Sequence, residues 1–146
     1  MVGIRRSRTG DGARLVEIWR EAVDATHDFL TPEDRLAIGN EVQEFLPLAP
    51  LWVAVDQHDR VIGFMHVEAE KMEALFVDPE FHGQGVGRAL VAHALRALPA
   101  VKTAVNEQNL KAVGFYEHIG FVRTGRSPVD DQGRAYPLIH MRLARD

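Results

Sequence analysis

The stretch Met72-Glu73-Ala74-Leu75-Phe76-Val77-Asp78-Pro79-Glu80-Phe81-His82-Gly83-Gln84-Gly85-Val86-Gly87-Arg88 decides how the rest of the chain is read. Its opening is a short apolar run that Pro79 stops, which predicts a buried strand over residues 72–77. Beyond Arg88, Leu90, Val91, Ala94, Leu95 and Leu98 recur at helical spacing with Pro99 behind them, which predicts an amphipathic helix over residues 89–98. Between the two stand Gly83, Gly85 and Gly87. A glycine-rich turn that opens a helix aims several backbone N–H groups at one spot, at the positive end of the helix dipole. That is an anion site, usually for phosphate.

Two familiar phosphate motifs do not fit. A dinucleotide fingerprint needs G-x-G-x-x-G; Gly83 and Gly85 match, but Arg88 stands at the third glycine position. A P-loop ends in G-K-S/T, which is absent here. A plain strand-to-helix turn without a ligand fits the same residues.

Outward from this stretch, the 146 residues suit one domain with a real core, residues 1–146. The net charge of −4 disfavours a nucleic-acid binder, which would carry a basic excess. With no cysteine, disulfides, thiolate chemistry and Cys-ligated zinc are excluded. The seven histidines show no H-E-x-x-H or paired spacing, so no metal site is expected. Nothing resembles a signal peptide or a membrane span, so a cytoplasmic protein with no membrane partner is expected.

Residues 3–9 read as a first strand, with Arg5, Arg6 and Arg8 on a solvated basic face. Thr9 or Asp11 caps a helix that carries Leu15, Ile18, Trp19 and Ala22 on one face. Thr31-Pro32-Glu33-Asp34 is a helix start, and Ile38, Val42 and Phe45 lie on one side of the helix that follows; Gly39 weakens it. Residues 51–55, 61–67 and 72–77 form an antiparallel meander. Residues 101–105 alternate as a strand, and strand–helix–strand implies a right-handed crossover and a parallel pair. Asn106 or Asn109 opens a helix bearing Ala112, Phe115, Tyr116 and Ile119, which Gly120 ends. Residues 121–129 and 135–143 close the chain as a hairpin.

The glycine spacing resembles the acyl-CoA pyrophosphate loop of the GNAT N-acetyltransferases, Q/R-x-x-G-x-G/A. Gly85 and Gly87 match it, while His82 stands where that family usually has Gln or Arg. A second stretch, Asn109-Leu110-Lys111-Ala112-Val113-Gly114-Phe115-Tyr116-Glu117-His118-Ile119-Gly120-Phe121, resembles the family's N-x-x-A-x-x-F-Y-x-x-x-G-F at every fixed position. The predicted order β-α-α-β-β-β-α-β-α-β-β is also that of the family. The resemblance covers essentially the whole chain. It implies an α/β (α+β) GNAT fold, a mixed sheet of about seven strands with four helices, splayed between strands 4 and 5.

The resemblance also implies a chemistry: transfer of acetyl from acetyl-CoA directly to a primary amine. By that likeness the pyrophosphate rests on His82, Gly83, Gln84, Gly85, Val86, Gly87 and Arg88, and the pantetheine runs along the strand edge at Leu75, Phe76 and Val77. Asn109 hydrogen-bonds the pantetheine arm, although a helix cap fits it equally. Tyr116 protonates the leaving thiolate as general acid, set against a core tyrosine on the Ala112–Phe115–Ile119 face. Glu73 and His27 are the candidate general bases, each set against a structural role. Residues 24–30, 74–79, 105–109 and 129–131 are similar to a bacterial group described as acetylating lysine side chains of proteins, so the resemblance implies that acceptor class. A non-catalytic acyl-CoA-binding sensor or regulatory module and an unrelated nucleotide binder are the competing classes. The acceptor, the base and the oligomeric state, monomer or homodimer, stay open at this level.

Overall fold

The computed structural model describes residues 2–26 and 29–144. In chain order the elements are β1 (Gly3–Arg6), α1 (Gly12–Thr26), α2 (Pro32–Phe45), β2 (Trp52–Val55), β3 (Val61–Glu68), β4 (Lys71–Val77), α3 (Val86–Ala97), β5 (Ala100–Asn106), α4 (Leu110–His118), β6 (Val122–Ser127) and β7 (Leu138–Ala144). The strands form one seven-stranded sheet in the order β1-β2-β3-β4-β5-β7-β6. It is mixed: β4 pairs β5 in parallel, while β1/β2, β2/β3, β5/β7 and β6/β7 are antiparallel. The expected class, order and parallel pair are all present. No helix among the described residues is long and apolar enough to cross a membrane.

The chain divides into two compact units, residues 1–66 with 74–90, and residues 67–73 with 91–146. In the first, Leu15, Ile18, Trp19 and Val23 of α1 pack with Leu46, Leu51, Val53, Val61 and Phe64, and Phe76 joins from β4. The periodicity of α1 therefore reports burial. Helix α2 begins as expected, with Pro32 in its first turn and the Thr31 hydroxyl accepting from the Asp34 N–H at 3.1 Å. Its apolar side is shallower than its spacing suggests. None of its residues is fully buried, and Phe45 is half exposed with its ring 5.3 Å from that of His66. Gly39 has a packing reason, since a Cβ there would meet Arg35 Nη1 at 3.1 Å and the Trp19 ring at 3.7 Å.

The basic run of β1 is the solvated face its sequence suggests at Arg6 and Arg8, which are exposed, but not at Arg5, which is half-buried. Arg5 hydrogen-bonds Asp11 at 2.9 Å and Asp59 at 3.0 Å, and Arg6 stacks 3.8 Å above Trp52. Arg5 holds the Asp11 carboxyl below its usual pKa against the opposing effect of burial.

In the second unit β5 and β7 pair from Ala100↔Ala144 to Asn106↔Leu138, and β6 lies on the far side of β7. The parallel β4–β5 ladder comprises two registers, Lys71↔Lys102 and Met72↔Thr103. Val91, Val101, Val105, Val113, Tyr116, Phe121, Ile139 and Met141 are buried here.

Candidate active site

The first group of site residues follows the end of β4. The Asp78 N–H donates to Ile62 O at 2.9 Å, which keeps the chain on β3 for one residue past the strand. Asp78 then caps a single 3₁₀ turn, Pro79–Phe81, its Oδ1 accepting from the Glu80 N–H at 3.0 Å. Two residues in the left-handed region follow, Gly83 at φ +78° and Gly85 at φ +80°. A Cβ at either would meet open space, so what requires glycine is the backbone conformation.

Helix α3 starts at Val86, three residues earlier than its apolar spacing suggests. Its first helical bond runs from the Ala89 N–H to Gly85 O at 2.9 Å. The N–H groups of Val86, Gly87 and Arg88 thus sit in a first turn without intrahelical acceptors. Gly87 belongs to the helix and not to the tight turn, which is made by Gly83 and Gly85. His82, Gly83, Gln84, Gly85 and Arg88 are exposed; Val86 and Gly87 are buried. The arrangement combines backbone donors without intrahelical acceptors and the positive end of a helix dipole, and both suit an anion. Gly63 on β3 underlies it: a Cβ there would lie 3.0 Å from Val86 and 3.1 Å from Phe76 O. Leu75, Phe76 and Val77 are half-buried, with the Phe76 ring 5.6 Å from that of Phe64.

The second group lies in the other unit. Thr103 on β5 donates its hydroxyl to Met72 O on β4 at 3.1 Å and also hydrogen-bonds the phenol of Tyr116 on α4. The Tyr116 ring is held edge-on between Phe115 and Phe121, with centroids 5.2 and 5.1 Å away. Burial raises the phenol's pKa well above its ordinary value, and the bond with Thr103 pulls it back only in part. Tyr116 is therefore a neutral phenol at physiological pH. Asn109 caps α4: its Oδ1 accepts from the Ala112 N–H at 3.2 Å, and its own carbonyl accepts from the Val113 N–H at 3.1 Å.

The candidate bases divide. Glu73 follows Met72 in β4, so its side chain projects to the face opposite the one that Thr103 and Tyr116 share. There it lies 3.7 Å from Lys71 Nζ, which also reaches Asp131 at 3.9 Å. His27 lies outside the described residues. Among the described residues no group of three or more His, Asp or Glu side chains is placed to hold a metal.

Sequence reasoning missed two residues. Thr103 reads only as an alternating strand residue, and Asp78 only as a residue before proline. Of the two asparagines that fit the start of α4, Asn109 caps it, while Asn106 ends β5 with its Oδ1 buried and without a hydrogen-bond partner.

Comparisons with known proteins agree with this fold. A family model described as an acetyltransferase (GNAT) domain matches residues 47–123. The chain is 54% identical over 141 residues to the peptidyl-lysine N-acetyltransferase YjaB of Salmonella typhimurium, covering 97% of each chain. The solution structure of apo YjaB from Escherichia coli superposes with a TM-score of 0.94 at 54% identity, again over 97% of each chain. A PaiA N-acetyltransferase from Thermoplasma acidophilum, solved in complex with coenzyme A, shares the fold with a TM-score of 0.77 at 20% identity, covering 99% of each chain.

Proposed function

The chain belongs to the GNAT acetyltransferase family, and from that premise we propose that it moves an acetyl group from acetyl-CoA to the ε-amine of lysine side chains in proteins. That it is an N-acetyltransferase using acetyl-CoA follows from the family; the acceptor class and the residue roles are our reading. The observation that supports this acceptor is the full-length likeness to a relative named for peptidyl-lysine transfer.

The donor suits the residues present. The N–H groups of Val86, Gly87 and Arg88 and the turn at Gly83 and Gly85 receive the diphosphate. The Leu75, Phe76 and Val77 backbone, beyond the last β4–β5 register, takes the pantetheine as an added strand. The Asn109 cap uses the Oδ1, which leaves its carboxamide N–H groups to donate to the pantetheine arm. Acetyl-CoA supplies an activated thioester, so the protein needs only to orient it, accept a neutral amine and assist the thiolate's departure. Tyr116 holds a proton on its phenol for that departure. The same reading places one catalytic domain in the cytoplasm.

The test is thiol release. Purified protein with acetyl-CoA is offered lysine peptides and small amines, and acetyl-lysine is located by mass spectrometry. Free CoA that forms with lysine peptides supports the reading. Release with small amines alone would move the acceptor to another class.

A further inference from the structure

Arg14 of α1 and Asp78, which leads into the glycine turn, form an ion pair that the transfer chemistry does not use. Asp78 is 1% exposed. Its Oδ2 accepts from Arg14 Nη2, while its Oδ1 accepts from the Glu80 N–H. Arg14 is engaged on every side: Nε donates to Val61 O at 2.9 Å, and Nη1 donates to Glu17. The guanidinium therefore ties α1 to the start of β3 and to the first residue after β4. Asp78 also carries the 3₁₀ turn, since the Phe81 N–H donates to its carbonyl at 2.8 Å. His82 and the two left-handed glycines follow directly.

Stability alone does not account for such a pair. Asp78 is buried and Arg14 half-buried, and withdrawing them from water costs desolvation that a well-packed apolar pair would avoid. A guanidinium fork supplies what apolar contact lacks, a direction. The residue it fixes sits at the root of the segment whose backbone N–H groups must converge on one anion. Displacement of such donors by about 1 Å can cost a hundredfold in function.

We propose that Arg14 and Asp78 are positioning residues that orient the glycine turn for the diphosphate of the acyl-CoA donor. This rests on the reading of that turn as the diphosphate site.

The experiment compares CoA with pantetheine, which carries the thiol arm but no diphosphate, by calorimetric titration. The wild type, Arg14→Met and Asp78→Asn are measured, the last retaining an oxygen for the Glu80 N–H. The wild type is expected to prefer CoA by at least about tenfold. Both variants are expected to weaken CoA about tenfold and leave pantetheine within about twofold, so that the preference narrows. Equal weakening of both ligands, or unchanged CoA affinity, would overturn the proposal. So would failure of both variants to fold, since the pair would then be a structural staple. A wild type without any preference for CoA would instead remove the diphosphate site on which the proposal stands.

Discussion

Thr103 donates its hydroxyl to the backbone carbonyl of Met72 at 3.1 Å, across the last paired register of β4 and β5. This places a side-chain tether where the parallel ladder ends. Thr103→Val keeps the shape and removes this bond together with the one to the Tyr116 phenol. The expected loss is about 1–3 kcal/mol. Urea unfolding should show it as a lower midpoint, with Thr103→Ser close to the wild type.

Gly85 and Gly114 form a matched pair of tests. Neither has an atom near the position of an added Cβ, but only Gly85 has positive φ. Gly85→Ala should cost about 1–2 kcal/mol in backbone conformation and should weaken acetyl-CoA binding. Gly114→Ala, inside α4, should stabilise by about 0.5–1 kcal/mol and leave binding unchanged. If the two behave alike, the conformation of the turn is irrelevant to the ligand.

Much of this was legible in the sequence, for local reasons. Glycine spacing marks the turn because positive φ excludes most other residues, and the Thr31-Pro32 start is a cap that one can read directly. Arg14 was not legible, because its partner lies 64 residues away and an arginine on the flank of an amphipathic helix is normally solvated. Phe45 misleads for the opposite reason: its spacing fits the apolar side of α2, but that side is not fully covered. The distinction between Tyr116 as core and Tyr116 as acid turns on where its hydroxyl points, and no local pattern encodes that.

Donors in the glycine turn are mostly backbone, so side-chain truncation there should matter little. His82→Ala is expected to change acetyl-CoA affinity only a few-fold, since the exposed imidazole is not the source of the convergent N–H groups. Gly87→Glu adds bulk and a like charge at a buried position in the first turn of α3, and should weaken binding strongly at some cost in stability. Calorimetry on both variants checks the contrast; equal losses would show that the side chain at 82 carries the site.

Tyr116 also sets a pH dependence. Its folded pKa is raised above the ordinary phenol value of 10.0, chiefly by burial. Below pH 10 both the folded and unfolded states hold the proton and the group adds no slope. As pH rises past 10 the unfolded phenol ionises first, so stability falls until the folded pKa is reached. Tyr116→Phe should flatten that alkaline decline. Denaturant midpoints measured either side of pH 10 give the slope, and identical slopes would mean that the phenol is not desolvated.

The same substitution tests the chemistry. Tyr116→Phe keeps the ring between Phe115 and Phe121 and leaves Thr103 bonded to Met72, so stability should change by no more than about 1 kcal/mol. General acids typically contribute about a hundredfold to ten-thousandfold. The raised pKa argues for the low end here. An ordinary thiol titrates near about 8.5, so a phenol above its usual value gives up its proton uphill. A fall in kcat of about a hundredfold is expected, with residual turnover because a thiolate leaves unaided at a lower rate. Acetyl-CoA affinity should hold, since the diphosphate contacts are elsewhere. Steady-state kinetics with a lysine peptide reads the split between kcat and KM. A wild-type kcat would return Tyr116 to the core, and a collapse in melting temperature would assign its hydroxyl to the Thr103 bond alone.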